Sequence, residues 1–274
     1  MKDLKIFCLC IHDHIFSTIK SLNYIPVGLG SSNFSKNWIR DNTGSNISYK
    51  NKYYAEYTFH YWLWKNNLSV LDKNKWVGFC GYREFWSQNI TDKPNEIVNS
   101  RKILIKKALK TKPNNWENYD VIIGTELFIN KVPLMKILKR GIPSLLKNPS
   151  ALFPTNRNIK FHFDMMHGIG NLEKAIDLLD KNNKDDFKEY VLNNISFSRG
   201  NMFLTKSKKI LENYYSSIFK WLNKCEDIFG FKLSGYGMTR IYAFLAERYL
   251  SYWFKKYSNY LQWPVFFCDT SKFK

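Results

Sequence analysis

No Cys-x-x-Cys pair occurs in this chain, and its five cysteines, Cys8, Cys10, Cys80, Cys225 and Cys268, are an odd number. That argues against a zinc knuckle or a disulfide framework and for a reducing compartment. Cys8 and Cys10 alternate within a strand-like run and read as small core residues. No stretch approaches the roughly 18 apolar residues of a membrane-spanning helix. The first apolar run, Ile6 to Ile11, is too short for a signal peptide. The expectation is a cytoplasmic protein that touches a membrane, if at all, from its surface. Internal repeats, low-complexity linkers and nucleic-acid recognition motifs are absent. So are Asp-x-Asp, Glu-x-Asp and Asp-x-Glu. Gly28-Leu29-Gly30 lacks the third glycine and following helix of a dinucleotide fingerprint.

Acidic residues are scarce. Against 23 Asp plus Glu stand 42 Lys plus Arg, a formal charge of +19. Such a field attracts polyanions: nucleic acid, anionic lipid or sugar diphosphates. A chain-wide richness in Lys, Asn, Ile and Tyr produces the same charge from composition alone. The 274 residues, 45% hydrophobic and 17% aromatic, suffice for a sizeable core in one large domain or two small ones.

Residues 41 to 86 organise the rest. A turn-rich loop, Asp41 to Ser48, leads into an aromatic helix, Tyr53 to Asn66. The apolar strand Lys75 to Gly81 follows, with the polar exit Tyr82-Arg83-Glu84. Ligands of open α/β sheets sit outside the carboxyl ends of the strands, so Arg83 is the first choice for an anion-binding side chain. Lys5 to Ile11 reads as a buried first strand that exits into His12-Asp13-His14. In the helix, Tyr54, Tyr57, Tyr61, Trp64 and Leu68 form one apolar face, and Glu56 and His60 lie four apart on another.

The second half reads as largely helical. Tyr119 to Glu126 is a further buried strand. Residues 130 to 158 hold four prolines and read as short helices or loop. In Phe161 to Asn171, Asp164 and His167 are three apart, so one helical turn places them on one face. An Asp beside a His suits general-base work, with Glu126 and Glu56 next in line; a capping Asp and a buried His are the structural alternative. Asn171 is a candidate N-cap for a helix from Leu172 to Lys181. Ser196 to Thr205 reads as a late strand, Lys208 to Phe229 as an amphipathic helix, and Arg240 to Tyr260 as a long aromatic helix.

Several short motifs, in order from Ile6 to about Leu250, resemble a bacterial glycosyltransferase family linked to capsular polysaccharide and O-antigen synthesis, long catalogued as a domain of unknown function. Asn46-Ile47-Ser48, Glu56, Tyr61-Trp62, Trp64-Lys65-Asn66, Gly78 and Tyr82-Arg83 carry the resemblance. Phe163, His167, Asn201-Met202-Phe203, Arg240 and Glu247-Arg248 add to it. Gly81 departs from it, standing where the family has His. The resemblance implies an α/β, GT-A-like fold: a Rossmann-type central sheet flanked by helices, with a helical C-terminal region. It implies one domain, with a nucleotide-sugar half to about residue 130 and an acceptor half beyond. Donor contacts fall on His12, Asn46, Ser48, Glu56, Lys65, Tyr82, Arg83 and Arg240, and acceptor-side catalysis on His167 and Asp164.

The activity implied is transfer of a sugar, galactose-type, from a UDP-linked donor to a saccharide or lipid-linked saccharide. No Asp-x-Asp motif holds a metal, so Arg83 with Lys65 or Arg240 takes the diphosphate charge; Mg²⁺ or Mn²⁺ on scattered carboxylates stays open. Peripheral contact with an anionic membrane is expected through Tyr249 to Tyr260, and no nucleic acid is expected as partner. Two rivals remain. A basic nucleic-acid-binding protein explains the charge and aromatics by phosphate contacts and stacking. A non-catalytic scaffold at the membrane surface uses Trp253 to Tyr257 as its anchor.

Overall fold

The computed structural model describes residues 3–68 and 75–273. In chain order the strands are β1 (Leu4–Cys10), β2 (Ile25–Gly28), β3 (Ile39–Arg40), β4 (Trp76–Gly81), β5 (Glu84–Trp86), β6 (Ile97–Val98), β7 (Val121–Gly124), β8 (Glu126–Phe128), β9 (Ser196–Ser198), β10 (Phe203–Thr205), β11 (Tyr260–Trp263) and β12 (Val265–Cys268). The helices are α1 (Phe16–Ser21), α2 (Asn51–Tyr54), α3 (Tyr57–Asn66), α4 (Arg101–Lys107), α5 (Leu134–Arg140), α6 (Ile142–Lys147), α7 (Ile159–His167), α8 (Asn171–Ile176), α9 (Lys181–Asn193), α10 (Lys208–Phe229), α11 (Tyr236–Thr239) and α12 (Ile241–Tyr257). Contacts divide the chain into two units. The first is residues 1–125, 200–216 and 254–274, and the second is residues 126–199 and 217–253.

The first unit is an α/β sheet in the order β11-β7-β10-β4-β1-β2-β3. Neighbours run parallel except β10, which is antiparallel to both β4 and β7. β1 is buried from Ile6 to Cys10 without alternation, as a strand covered on both faces must be. Its odd and even residues enter different layers. Phe7 stacks with Phe79 of β4 and meets Phe59 of α3, while Ile6, Cys8 and Cys10 pack with Ile15, Ile19, Trp76 and Leu104. Beyond β4, a two-residue turn at Tyr82-Arg83 reverses the chain into β5, which pairs with β12. The central, mostly parallel sheet flanked by helices matches the expected fold class.

Three local features differ from the expected pattern. The aromatic helix breaks at Ala55, where φ is 49°, and restarts at Tyr57. The buried stripe is therefore Tyr57, Phe59, His60 and Leu63, and Tyr61 and Trp64 are only half-buried. The last helix ends at Tyr257, and β11 and β12 follow it into the sheet. Asn171 is the first residue of α8 rather than its cap; Gly170, in a left-handed conformation at φ 82°, precedes it.

In the second unit, β8 and β9 pair antiparallel. Around them lie α5 to α9, most of α10, and α12. Asn158 caps α7 by accepting from the Phe161 amide at 2.8 Å, and Asp180 caps α9. Phe187 of α9 packs against Trp221, Tyr249 and Tyr252. Tyr249, Leu250, Tyr252, Trp253 and Phe254 are buried, so most of the aromatic side chains expected to meet a membrane are core, while Lys256 and Tyr257 at the end of the helix are exposed. Among the described residues, no helix is long and apolar enough to cross a membrane.

Candidate functional site

β1 sits where the strand order reverses: β2 and β3 lie on one side of it, β4 on the other. In such sheets the crevice outside the carboxyl ends at the reversal is the usual ligand site. His12, just past β1, stands edge-on to Tyr82, just past β4, with ring centroids 5.5 Å apart. His14 lies 5.8 Å from His12 and approaches the Thr270 carbonyl at 3.3 Å. The Arg83 guanidinium is 5.1 Å from the Tyr82 ring and exposed. Two imidazoles, a phenol and a guanidinium thus share one strand-end cluster, a set able to stack on a base and bind phosphate.

The loop between β3 and α2 is built around Asp41, which is fully buried. Its Oδ1 accepts from the Gly30 amide at 3.0 Å and the Ser48 hydroxyl at 2.8 Å. Gly30 needs its positive φ of 66°, and a Cβ there would come within 2.9 Å of Asn51. Arg40 donates to the Gly28 and Gly30 carbonyls at 3.1 and 2.7 Å, pinning the same segment. Asn46 makes a local turn, accepting from the Ser48 amide and donating to the Gly44 carbonyl. The Trp-x-Trp-Lys-Asn end of α3 clasps this loop. Asn66 exchanges two hydrogen bonds with the Ser45 backbone, and the Trp62 indole donates to Thr43. Lys65 lies over the Trp64 ring at 3.5 Å. Glu56 is half-buried at the start of α3. Its neighbour His60 is core: Nδ1 pairs with the Tyr215 hydroxyl at 2.7 Å, and burial pushes its pKa down to about 3.

The second unit encloses a cavity of about 600 Å³. His162 and His167 from α7, Arg248 and Glu247 from α12, Arg199 after β9 and Tyr236 of α11 contribute its polar groups, with Lys136 at its lining. His167 Nδ1 lies 3.1 Å from the Gly237 carbonyl. A carbonyl only accepts, so Nδ1 carries the proton and Nε2 presents a lone pair. The ring stacks on Phe244 at 4.1 Å. Burial and the Arg248 charge push its pKa down to about 2. His162 accepts from Arg248 Nη2 at 3.2 Å, and burial with the same charge pushes it down to about 3. Both imidazoles are neutral at any ordinary pH. Arg248 is buried, ion-paired with Glu247, and 4.3 Å from the centre of the Phe197 ring.

Asp164 shares α7 with His167 but not its surroundings. One carboxylate oxygen takes the Lys160 ammonium at 2.5 Å and the other the Gly170 amide at 3.2 Å, and it is not among the cavity residues. Burial raises its pKa. Arg240 belongs to this unit, donating to the Tyr236 hydroxyl at 3.1 Å. Sequence reasoning missed Asp41, Arg40, His162 and Arg199. Asp41 and His162 are buried and Arg40 and Arg199 half-buried, and the partners of Asp41, Arg40 and His162 come from other segments of the chain, so no local pattern marked them. No three His, Cys, Asp or Glu side chains among the described residues gather as metal ligands, so no step is assigned to a metal.

A model of the family described as "Domain of unknown function (DUF4422)" matches residues 5–259. The chain belongs to this family. No curated protein matches it. Among solved structures, the apo WbbM bifunctional glycosyltransferase superposes with a TM-score of 0.70 over 97% of this chain, at 19% identity. The chain spans 45% of that protein's chain. At that identity the likeness is one of fold.

Proposed function

We propose that the chain is a glycosyltransferase that moves a sugar from a nucleoside diphosphate donor to a saccharide acceptor in surface-polysaccharide assembly. The observation that carries the reading is the likeness of nearly the whole chain to the WbbM bifunctional glycosyltransferase. The strand-end cluster supports a donor site there. His12 and Tyr82 contact the nucleoside, and Arg83 grips the diphosphate in a bidentate fork. Asn46, Ser48, Glu56 and Lys65 shape the adjoining loop, and UDP and a galactose-type sugar are our choice of donor. The cavity of the second unit takes the acceptor: its aromatic rings suit sugar faces, and Arg240 steadies Tyr236 at its lining.

In the reaction, an acceptor hydroxyl oxygen bonds to the sugar's anomeric carbon as the bond from that carbon to the diphosphate oxygen breaks. The hydroxyl proton passes to a base, and the nucleoside diphosphate departs with the bonding electron pair. Burial and Arg248 make His167 too weak a base for that step, so its Nε2 lone pair accepts a hydrogen bond from a saccharide hydroxyl in the cavity. Asp164 acts on His167 by holding the Gly168–Gly170 turn. Thermal shift against nucleotide sugars, free nucleotides and oligonucleotides tests the assignment. Donor binding to the native state should raise the melting temperature, and mass spectrometry of an acceptor screen should find the added sugar. Arg83→Lys should weaken donor binding by about 1.5–3 kcal/mol although the charge is kept. Stabilisation by oligonucleotides alone would replace the enzyme reading with the nucleic-acid one.

A further inference from the structure

From Leu127 to Phe163 the sequence carries cations, Lys131 through Lys160, and not one Asp or Glu. In a chain with 23 acids this is a long acid-free run, and it lies within the second unit, where it forms α5, α6, the turns after them and the start of α7. Helices α5 and α6 pack on each other and on the turn at Pro149–Leu152. Their inner residues, Ile137, Leu145 and Ala151, are buried against Phe161 and Met165 of α7. Their outer residues are apolar too. Met135 and Leu146 are each 77% exposed, Phe153 is 67% exposed, and Leu134, Leu138 and Ile142 are exposed beside them. A surface helix normally turns a polar face to water, and contiguous exposed apolar residues mark an interaction site.

Lys131, Lys136, Lys139 and Lys147 are exposed among these side chains. The arrangement is also held in place. Arg157, buried, donates to the Ala151, Val132 and Leu152 carbonyls at 2.9, 2.9 and 3.0 Å. Its guanidinium fastens the segment's turns from beneath, so the outer apolar side chains sit on a fixed platform.

We propose that this face, α5, α6 and the turn to Phe153, docks on an anionic lipid bilayer. Apolar side chains enter the acyl boundary while lysines meet the headgroups, as at interfacial helices. A protein partner with an acidic rim is the competing occupant. Bilayer docking is favoured by the combination of long aliphatic tips with lysines and no carboxylate, because a lipid surface offers phosphates everywhere and demands no paired pattern. Lys136 also lines the cavity described above, so docking would bring that cavity's rim to the lipid surface. The inference concerns binding alone and does not depend on the transfer reaction.

The test is co-sedimentation of the full chain with phosphatidylcholine vesicles with and without 30% phosphatidylglycerol, about, at low and high salt. Binding should require the anionic lipid and weaken as salt rises. Met135→Glu with Leu146→Glu should abolish it, and Lys139→Gln and Lys147→Gln should each weaken it roughly fivefold. Both changes sit on exposed side chains, so circular dichroism and melting temperature should match the wild type. Ile97→Glu, an exposed apolar residue of the first unit, should leave binding unchanged. Equal binding to neutral vesicles, undiminished binding of the double variant, or a wild-type dimer that the double variant splits without any vesicle binding would each overturn the proposal.

Discussion

Asp164 and His167 show how much a side chain's setting decides its chemistry. Three apart on α7, they are neighbours by sequence, yet one lines a cavity and the other holds an ammonium and a backbone amide. Helical spacing gives the shared turn of helix; which groups approach from other elements, Lys160 and Gly170 here, is long-range or local packing that spacing does not contain. His167→Asn should leave the melting temperature within a few degrees of wild type and weaken use of the acceptor, read as kcat/KM, by about 3–10-fold, the loss of one hydrogen bond. Asp164→Asn loses the Lys160 pair and weakens the turn after His167. It should lower stability by about 1–3 kcal/mol, and turnover should fall less than in His167→Asn. Steady-state rates beside denaturant melts check both, and the reverse ranking of rates would move the acceptor contact from His167 to Asp164.

At the scale of elements, α3 and the loop before it form one device. The motif residues Trp62 and Asn66 clasp residues 43 and 45, next to Asn46. Asn66→Ala removes both hydrogen bonds to the Ser45 backbone and a third to the Trp62 carbonyl, so the Ser45 amide should lose about 1–2 kcal/mol of exchange protection. Global stability should hardly change, and donor affinity should drop as the loop loosens. Hydrogen exchange read at Ser45 separates this from a mere surface asparagine. The elements that were legible are those with undisturbed periods: β1, β4, β7 and the whole of α10. Those that were not had a hidden interruption. Ala55 breaks a continuous aromatic pattern by adopting a backbone conformation its sequence does not advertise. The aromatic residues of β11 extend the pattern of α12 so smoothly that only sheet pairing with β7 distinguishes them. Of the site, the strand exits at His12 and Tyr82-Arg83 could be read from topology alone. The cavity could not, because its charged and imidazole groups come from α5, α7, the segment after β9, α11 and α12.

For the molecule as a whole, three of the five histidines are buried and neutral. His60 and His162 have pKa values pushed to about 3 and His167 to about 2, in each case first by burial. An unfolded histidine titrates near 6.5. Below that pH the unfolded chain binds protons that the folded chain refuses, so folding stability is fully present above about 6.5 and is lost as the pH falls toward 3. Each histidine contributes a slope of about 1.4 kcal/mol per pH unit within that window. Asp164 works in the opposite sense, since burial raises its pKa and the folded state gains its proton first. Three such imidazoles stand against this one carboxylate, so the histidines set the sign of the slope. The second unit carries two of them and the first unit one, so acid should weaken the second unit more steeply. Denaturant titrations at half-unit pH steps, followed by hydrogen exchange at α7 and at β1, measure the two slopes. His162→Gln should flatten the slope of the second unit by about one proton and leave that of the first untouched. A flat profile from pH 6.5 to 4.5 in the wild type would mean that these imidazoles accept protons where they sit, and that the cavity admits the water to hydrate them.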